Sequence, residues 1–454
     1  MGELKPVDVC GAVQGKEDHS SEGISIFSSS RSGSNNSQKD TRLSPIQNLV
    51  PDILTHIFML ATTDIRGMFE WNRMTPNNVA AVSRHWRALA ISHAMLWTAF
   101  RPSGHSRFPW EKLFLYLTRS GQAPLDLEFR ELHLAKDYTQ LASFLHNNQH
   151  RCKHINIRSK DADSFNLLEG GMKMEIELIN TPLLKTLHVQ LEGQESVHVR
   201  IQPSPSLTVL NLSDPFSLHF GDLTTLSLTH VTLTSVSMSA NDCLTLLRIC
   251  PALIEFSASL YGETDEDETH EDICILNLIS FHLFTAKSST VQYILQPLHF
   301  PSLKHLFLRT KGDGIVSTLI ARSRCFLESV ELEGIMTDDI IQCLEQSPSL
   351  ERLAVGWYNG IGGIPERDMV THLTLKRGYQ LCPKLKSIKF VDLDLAEYAE
   401  EVETMIASRW NAEEGTRCLV NASFISCNLD HVQDFDRYCA EGLDLKIESS
   451  IFLY

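Results

Sequence analysis

The densest group of proton- and metal-handling side chains is "HNNQHRCKH", which puts His146, His150, Cys152 and His154 within nine residues. Imidazole and thiolate are ligands that zinc prefers, and His146 and His150 would share one face of a helix. A zinc site also needs a second ligand pair at fixed spacing, and none follows. Asn147 and Asn148 read as a helix end, and "HINIRS" as the strand after it, so the segment is expected to be structural. "KGDGI", Lys311 to Ile315, lacks the spacing of a phosphate-binding loop and reads as a turn between a strand and a helix. Neither G-x-S-x-G nor H-E-x-x-H occurs. "GETDEDETHED", Gly262 to Asp272, holds seven acidic residues and reads as a solvated loop. Docking of a basic partner is the sharper alternative there; calcium is a third option, but the ligand order and central Gly of an EF-hand are missing. No catalytic residue, metal ligand or cofactor is expected.

Composition bounds the function from the other side. A hydrophobic fraction of 43% and a charged fraction of 21% are those of a folded soluble chain. The net charge of −16 argues against nucleic acid and anionic membrane as partners, since both call for excess Lys and Arg. No apolar run is long enough to span a bilayer. "MGELKPVDVCGAVQGKED" has no apolar segment, so no secretory signal is expected, and Pro6 stands where a myristoylation motif takes Ser or Thr. Eleven irregularly spaced cysteines then read as reduced thiols, with Cys250 and Cys382 as small hydrophobes before Pro. The expected compartment is cytoplasmic, nuclear or both.

The elements that must carry any function fall into four stretches. Residues 1–43 read as a disordered tail, since nine of the eighteen residues from Ser20 to Ser37 are Ser. Residues 44–100 hold short helices. Ile53, Leu54, Ile57, Phe58 and Leu60 lie on one side of the first, with Pro51 at N1 and Asp52 in its first turn. Thr75 and Pro76 announce a second, with Val79, Val82, Trp86, Leu89 and Ala90 as its apolar face. Ser92 starts a third turn, carrying Met95, Leu96, Trp97 and Phe100. Residues 101–139 connect through a helix closed by Gly121, a turn at Pro124 and a short strand.

From residue 140 to 454 short apolar strands recur, among them "LKTLHV", "LTTLSL", "LISFHLF", "LKHLFL", "LESVELEG" and "LERLAV". Phe281 to Leu306 is 25 residues, Leu306 to Val330 is 24 and Val330 to Leu353 is 23, within the window for leucine-rich repeats. The period breaks elsewhere: Leu210 to Leu226 is 16 and Leu353 to Ile388 is 35. Helical stretches such as "CLTLLRICPAL", "DDIIQCLEQSPSL" and "LTLKRGYQLCPKL" end in a Pro turn, and "P-x-L" leads into the next strand. Such units bury their apolar faces only by stacking. An α/β solenoid is expected, with parallel strands on the concave side and helices or turns on the convex side.

"LVPDILTHIF" and "AVSRHWRALAISHAMLW" together resemble the F-box, a family opening on a Leu-Pro-x-Glu-Ile-Leu helix and continuing through Val-Cys-Arg-x-Trp-Arg to Leu-Trp. Val82, Arg84, Trp86, Arg87, Leu89, Ala90, Leu96 and Trp97 carry the second half of the match. "LYLTRSGQAPLDL", Leu115 to Leu127, resembles the segment that follows in many fungal F-box proteins with irregular leucine-rich repeats. Val50 stands for the first Pro, Asp52 for Glu and Ser83 for Cys. The resemblance implies a non-catalytic substrate receptor, joined by the Skp adaptor protein to a cullin–RING ubiquitin ligase. The repeats would bind a protein target. The adaptor-binding residues it implies are Leu49, Pro51, Ile53, Leu54, Ile57, Phe58, Leu60, Val79, Val82, Trp86, Leu89, Leu96 and Trp97. Val82 and Trp86 are expected to lean inward, and Leu49, Ile53, Leu54, Ile57 and Phe58 to supply the contact. A leucine-rich scaffold that binds the adaptor without a ligase uses the same surfaces, and an enzyme hidden in the repeats is a third reading.

Overall fold

The computed structural model describes residues 46, 49–62, 75–102, 108–130, 132, 135–159, 174–191, 197–213, 216–218, 225–236, 238–261, 271–312, 314–356, 366–376, 380–410, 418–429 and 435–448. The expected tail (1–43), the loop 63–74 and residues 262–270 of the acidic strip lie outside them. The chain divides into two units, Met1–Val50 and Pro51–Tyr454. Of the first, only Ile46, Leu49 and Val50 are described.

The second unit opens with α1 (Pro51–Thr62), α2 (Pro76–Val82), α3 (Arg84–Ser92) and a 3-10 turn, Ala94–Trp97. Thr75 caps α2 by accepting the Asn78 N–H, and Pro76 fills the first turn, as the sequence indicates. The single helix expected from Pro76 through Ala90 is instead two. Ser83 has an extended backbone (φ −155°, ψ 167°), and its Oγ accepts the Trp86 N–H at 3.1 Å. It closes α2 and caps α3, because a short hydroxyl side chain competes for the backbone donors that a continuous helix would use.

The chain continues through β1 (Ala99–Phe100), α4 (Trp110–Ser120), β2 (Leu125–Arg130), α5 (Ala135–Asn148) and β3 (Cys152–Ser159). Gly121 closes α4 with φ 56°, a conformation that favours Gly. Next come β4 (Met174–Leu178), β5 (Thr186–Leu191), β6 (Val197–Ile201), β7 (Val209–Ser213), β8 (Phe216–Leu218) and β9 (His230–Val236). Helices then alternate with strands: α6 (Ala240–Ile249), β10 (Glu255–Leu260), β11 (Ile273–Cys274), β12 (Ser280–Thr285), α7 (Ser288–Leu295), β13 (Leu298–His299), β14 (His305–Gly312) and α8 (Ile315–Ser323). The last elements are β15 (Ser329–Ile335), α9 (Thr337–Glu345), β16 (Arg352–Gly356), α10 (Glu366–Leu373) and β17 (Ser387–Val391). They are followed by α11 (Ala399–Trp410), β18 (Asn421–Ile425), α12 (Phe435–Ala440) and β19 (Asp444–Glu448).

Among the described residues, fourteen strands form one sheet in the order β1-β2-β3-β5-β7-β9-β10-β12-β14-β15-β16-β17-β18-β19. Every pair in it is parallel. Each winding of the chain lays its strand beside the previous one, a solenoid-like α/β arrangement. Phe281, Leu306, Val330, Leu353 and Ile388, equivalent by spacing, are successive register partners. They belong to an apolar row that runs unbroken from Phe100 to Ala422 on the covered face.

The P-x-L step has a simple geometry. In "TPLL", "SPSL", "CPAL", "FPSL", "SPSL" and "CPKL" the Leu N–H donates to the C=O three residues back: Leu184 to Thr181, Leu207 to Ser204, Leu253 to Cys250, Leu303 to Phe300, Leu350 to Ser347 and Leu385 to Cys382. Pro pre-sets the second position of each turn, and the Leu it delivers is buried at the foot of the strand.

Three expectations need correction. Of "LTTLSL", residues 223 and 224 lie outside the described residues and 225–228 are irregular, as is residue 229; β9 follows as "HVTLTSV". Leu210 therefore pairs with Val231, 21 residues on, which restores the period. The helix expected across "LTLKRGYQLCPKL" ends at Leu373, where the Leu375 N–H goes to Ser408 Oγ (3.0 Å) rather than to a helical carbonyl. Between β3 and β9 the chain builds a second, three-stranded parallel sheet, β4-β6-β8, in the chain position that helices take later. Its alternating "MEIEL" and "VHVRI" bury Ile176, Leu178, Val199 and Ile201, and period two selects strand over helix.

Candidate docking surfaces

Helix α1 is apolar on two adjacent stripes. Leu54 and Phe58, four apart, are 0% and 1% exposed; Ile53, Ile57 and Leu60, at i, i+4 and i+7, are 50%, 39% and 58% exposed. The inner stripe closes a small core. The Phe58 ring packs on half-buried Trp86 at 4.7 Å, and Val79, Ala90, Leu96 and Trp97 are buried. The Trp97 indole N–H donates to the Ala90 C=O at 2.7 Å, and the Arg119 guanidinium lies 4.1 Å over its ring. Tyr116 meets Trp97 edge-on at 5.1 Å, and burial pushes its phenol up to about 12. These contacts tie the helices to α4.

The inward–outward division differs from the expected one. Leu54 and Phe58, expected at the contact, fill the interior. Val82, expected inside, is 56% exposed, because α2 ends on it and the Ser83 break turns the chain away. Leu89 is half-buried and Pro51 exposed. Leu49, in the first unit, is half-buried. Met95 and Ile91, neither among the adaptor-binding residues that the resemblance implies, add exposed apolar area.

The second surface is the face of the large sheet away from the helices. Its outward positions are polar: His154, His188, His230, His282 and His305 recur there, interleaved with Ser, Thr, Asn and Glu. Toward the C-terminal end cross-strand ion pairs neutralise it: Lys304 with Glu328 (2.8 Å), Lys386 with Glu351 (2.7 Å), Lys389 with Glu331 (3.7 Å), and Arg309 with Glu333. An aromatic knot interrupts this polarity. Tyr261 meets Phe284 edge-on at 5.7 Å, Phe307 lies against His282 at 5.6 Å, and Arg309 sits 5.5 Å over Phe284. Phe284 and Phe307 occupy outward positions of "SFHLFT" and "HLFLRT", the signal by which the sequence could have shown the knot.

The candidates for chemistry separate. His146 and His150 are exposed, His154 is half-buried on the sheet, and Cys152 is buried. The Cys152 thiol donates to the Asn148 C=O at 3.4 Å, and burial pushes it up to about 12, so it stays protonated. Among the described residues no three His, Cys, Asp or Glu side chains are grouped to hold a metal ion. In "KGDGI", Lys311 and Gly312 end β14, Gly314 (φ 66°) stands in front of α8, and Asp313 lies outside the described residues. A cavity of about 280 Å³ lined by Thr371, Thr374, Lys376, Glu400, Glu401 and Thr404 offers hydroxyls, one amine and two carboxylates. No helix among the described residues is long and apolar enough to cross a membrane.

No protein-family model matches the chain, and no curated protein is found to be similar to it.

Proposed function

We propose that the chain is a non-catalytic substrate receptor of a Skp–cullin–F-box ubiquitin ligase. The F-box-like stretch, residues 44–100, docks on the Skp adaptor, and the open face of the sheet receives the protein to be ubiquitinated. The observation that carries this reading is the uncovered stripe Ile53, Ile57 and Leu60 beside an already closed core. A short helix with a second apolar stripe facing water gains free energy by burying it against a partner. The resemblance of "LVPDILTHIF" and "VSRHWRALAISHAMLW" to the F-box implies the Skp adaptor as that partner. The receptor itself would do no bond chemistry; it would hold a target beside the conjugating enzyme and raise its effective concentration.

Affinity capture of the full chain from cell extract tests the reading. Recovery of both the Skp adaptor and a cullin supports it. Adaptor without cullin points instead to a leucine-rich scaffold outside a ligase, and recovery of neither refutes both.

A further inference from the structure

At the leading ends of the strands, inside β3 at Lys153 and one residue ahead of the later strands, a row of backbone groups continues the sheet's ladder. Lys185 N–H donates to Lys153 C=O (2.8 Å), Thr208 to Lys185 (2.8 Å), Thr229 to Thr208 (2.8 Å), and the pattern runs on through Lys304, Glu328, Glu351 and Lys386. At the later end of this rim each Lys stands beside a Glu and pairs with it. At the earlier end two exposed lysines, Lys153 and Lys185, are neighbours instead. Like charges on adjacent strands destabilise a sheet.

The strands at this end add more cations than carboxylates. Among the described residues of β2 and the segments beside it, Arg101, Arg130 and the exposed Arg158 stand near Asp126 and Glu128. Both carboxylates are occupied: Asp126 by Arg101 at 2.6 Å, and Glu128 by Arg130 at 2.6 Å and by the Asn156 side-chain amide at 3.1 Å. Among the described residues no carboxylate lies within ion-pair distance of Lys153, Arg158 or Lys185. Among the described residues, Lys153, Lys185 and Arg158 therefore add three cations to the paired Arg101 and Arg130, on a chain whose net charge is −16. The histidines register the same field. Burial lowers the His154 imidazole, and Lys153, Arg101 and Lys185 push it further down against Asp126; burial and then Arg158 lower that of His188.

We propose that this corner of the open face, built on Lys153, Lys185 and Arg158, binds a carboxylate-rich acidic segment of a protein partner. A run of Asp or Glu laid along β2, β3 and β5 would screen the Lys153–Lys185 repulsion and meet cations that no carboxylate among the described residues pairs with. The inference rests on the open face being the target-binding side and is independent of adaptor docking.

The test uses the full chain and a fluorescein-labelled peptide of alternating Glu and Gly, about a dozen residues long. Fluorescence anisotropy should show saturable binding that weakens with added salt. Affinity should fall at least about tenfold in Lys153→Gln/Lys185→Gln/Arg158→Gln and stay unchanged in Lys304→Gln/Lys386→Gln. A melting curve of each variant establishes that it is folded. Lys185→Glu alone, which recreates the Lys–Glu neighbours seen at Lys304 and Glu328, should raise the melting temperature while weakening the peptide. No binding at low salt, equal loss in the control pair, tighter binding of a single-stranded RNA of equal length, or binding only after peptide phosphorylation would each overturn the proposal. Adaptor capture by the Gln triple variant should persist, so failure of the peptide and failure of adaptor docking are read separately.

Discussion

Replacing Ile53 and Ile57 with Asp should weaken docking on the adaptor at least about tenfold and leave the fold intact. Fully burying an Ile or Leu side chain is worth about 1.5–3 kcal/mol. Ile53, Ile57 and Leu60 are 50%, 39% and 58% exposed, so about half of that remains to be gained at each. Over the three residues this is about 2 to 4 kcal/mol, or a factor of roughly 30 to 1,000 in Kd. Asp at the two Ile positions forfeits most of it and adds two carboxylates to desolvate, so affinity should fall at least about tenfold. Neither side chain lies in the closed core, so the stability cost should stay near 1 kcal/mol, mostly from the weaker helix propensity of Asp. Phe58→Asp would not be a fair probe of docking: Phe58 is 1% exposed, and a charge there unfolds the helices. Isothermal titration with purified adaptor reads the affinity, and urea denaturation reads the stability. A folded Ile53→Asp/Ile57→Asp protein with undiminished affinity would remove the docking assignment.

Three further outcomes concern the scaffold. The Asp339 carboxylate accepts the buried N–H groups of Val316 (3.0 Å) and Ser317 (2.9 Å) at the start of α8, so Asp339→Ala should cost about 2 to 4 kcal/mol in urea denaturation. Exposed Asp338→Ala should fall within about 0.5 kcal/mol of the parent, and equal effects from the two would refute the capping role. Fully buried Arg409 donates to the carbonyls of Leu373 (2.7 Å), Leu381 (2.8 Å) and Cys382 (3.1 Å); Arg409→Met leaves them unpaired and should cost at least about 3 kcal/mol, where a loss below 1 would count against that account. Burial holds His154, His188 and His282 below the ordinary imidazole value of about 6.5, so the unfolded chain binds more protons in that range. Their stabilisation is full above about pH 6.5 and is lost as pH falls through the lowered values. The melting temperature should drop from about pH 7.5 to about pH 5.5, and less steeply with all three changed to Gln; an identical slope would exclude these groups as the cause.

Much of the fold was legible because the repeat is written in local signals. The Pro of each P-x-L step fixes a turn, the Leu anchors a strand, and the near-equal spacing of Phe281, Leu306, Val330 and Leu353 reappears as register. Gly121, Thr75 and Pro76 likewise mark helix ends through backbone chemistry that needs no distant partner. Where local signals compete, the reading slipped. "LTTLSL" has a strand's alternation but precedes the strand that pairs, and "LTLKRGYQLCPKL" has apolar residues at helical spacing although the chain leaves the helix at Leu373.

The docking surfaces divide in the same way. The sequence alone determines that α1 is apolar and that it is followed by a helix capped at Thr75. Periodicity cannot say which of two neighbouring stripes is covered, since Leu54 and Ile53 differ by only one helical step. Trp86 decides this by packing on Phe58 and leaving Ile53 and Ile57 outside. Val82 points outward only because Ser83 ends the helix under it. Lys153 and Lys185 lie 32 residues apart in the chain and become neighbours through the parallel register of β3 and β5. Local propensity specifies each strand and turn, but electrostatic and apolar surfaces are sums over elements brought together by packing, so only the tertiary structure assembles them.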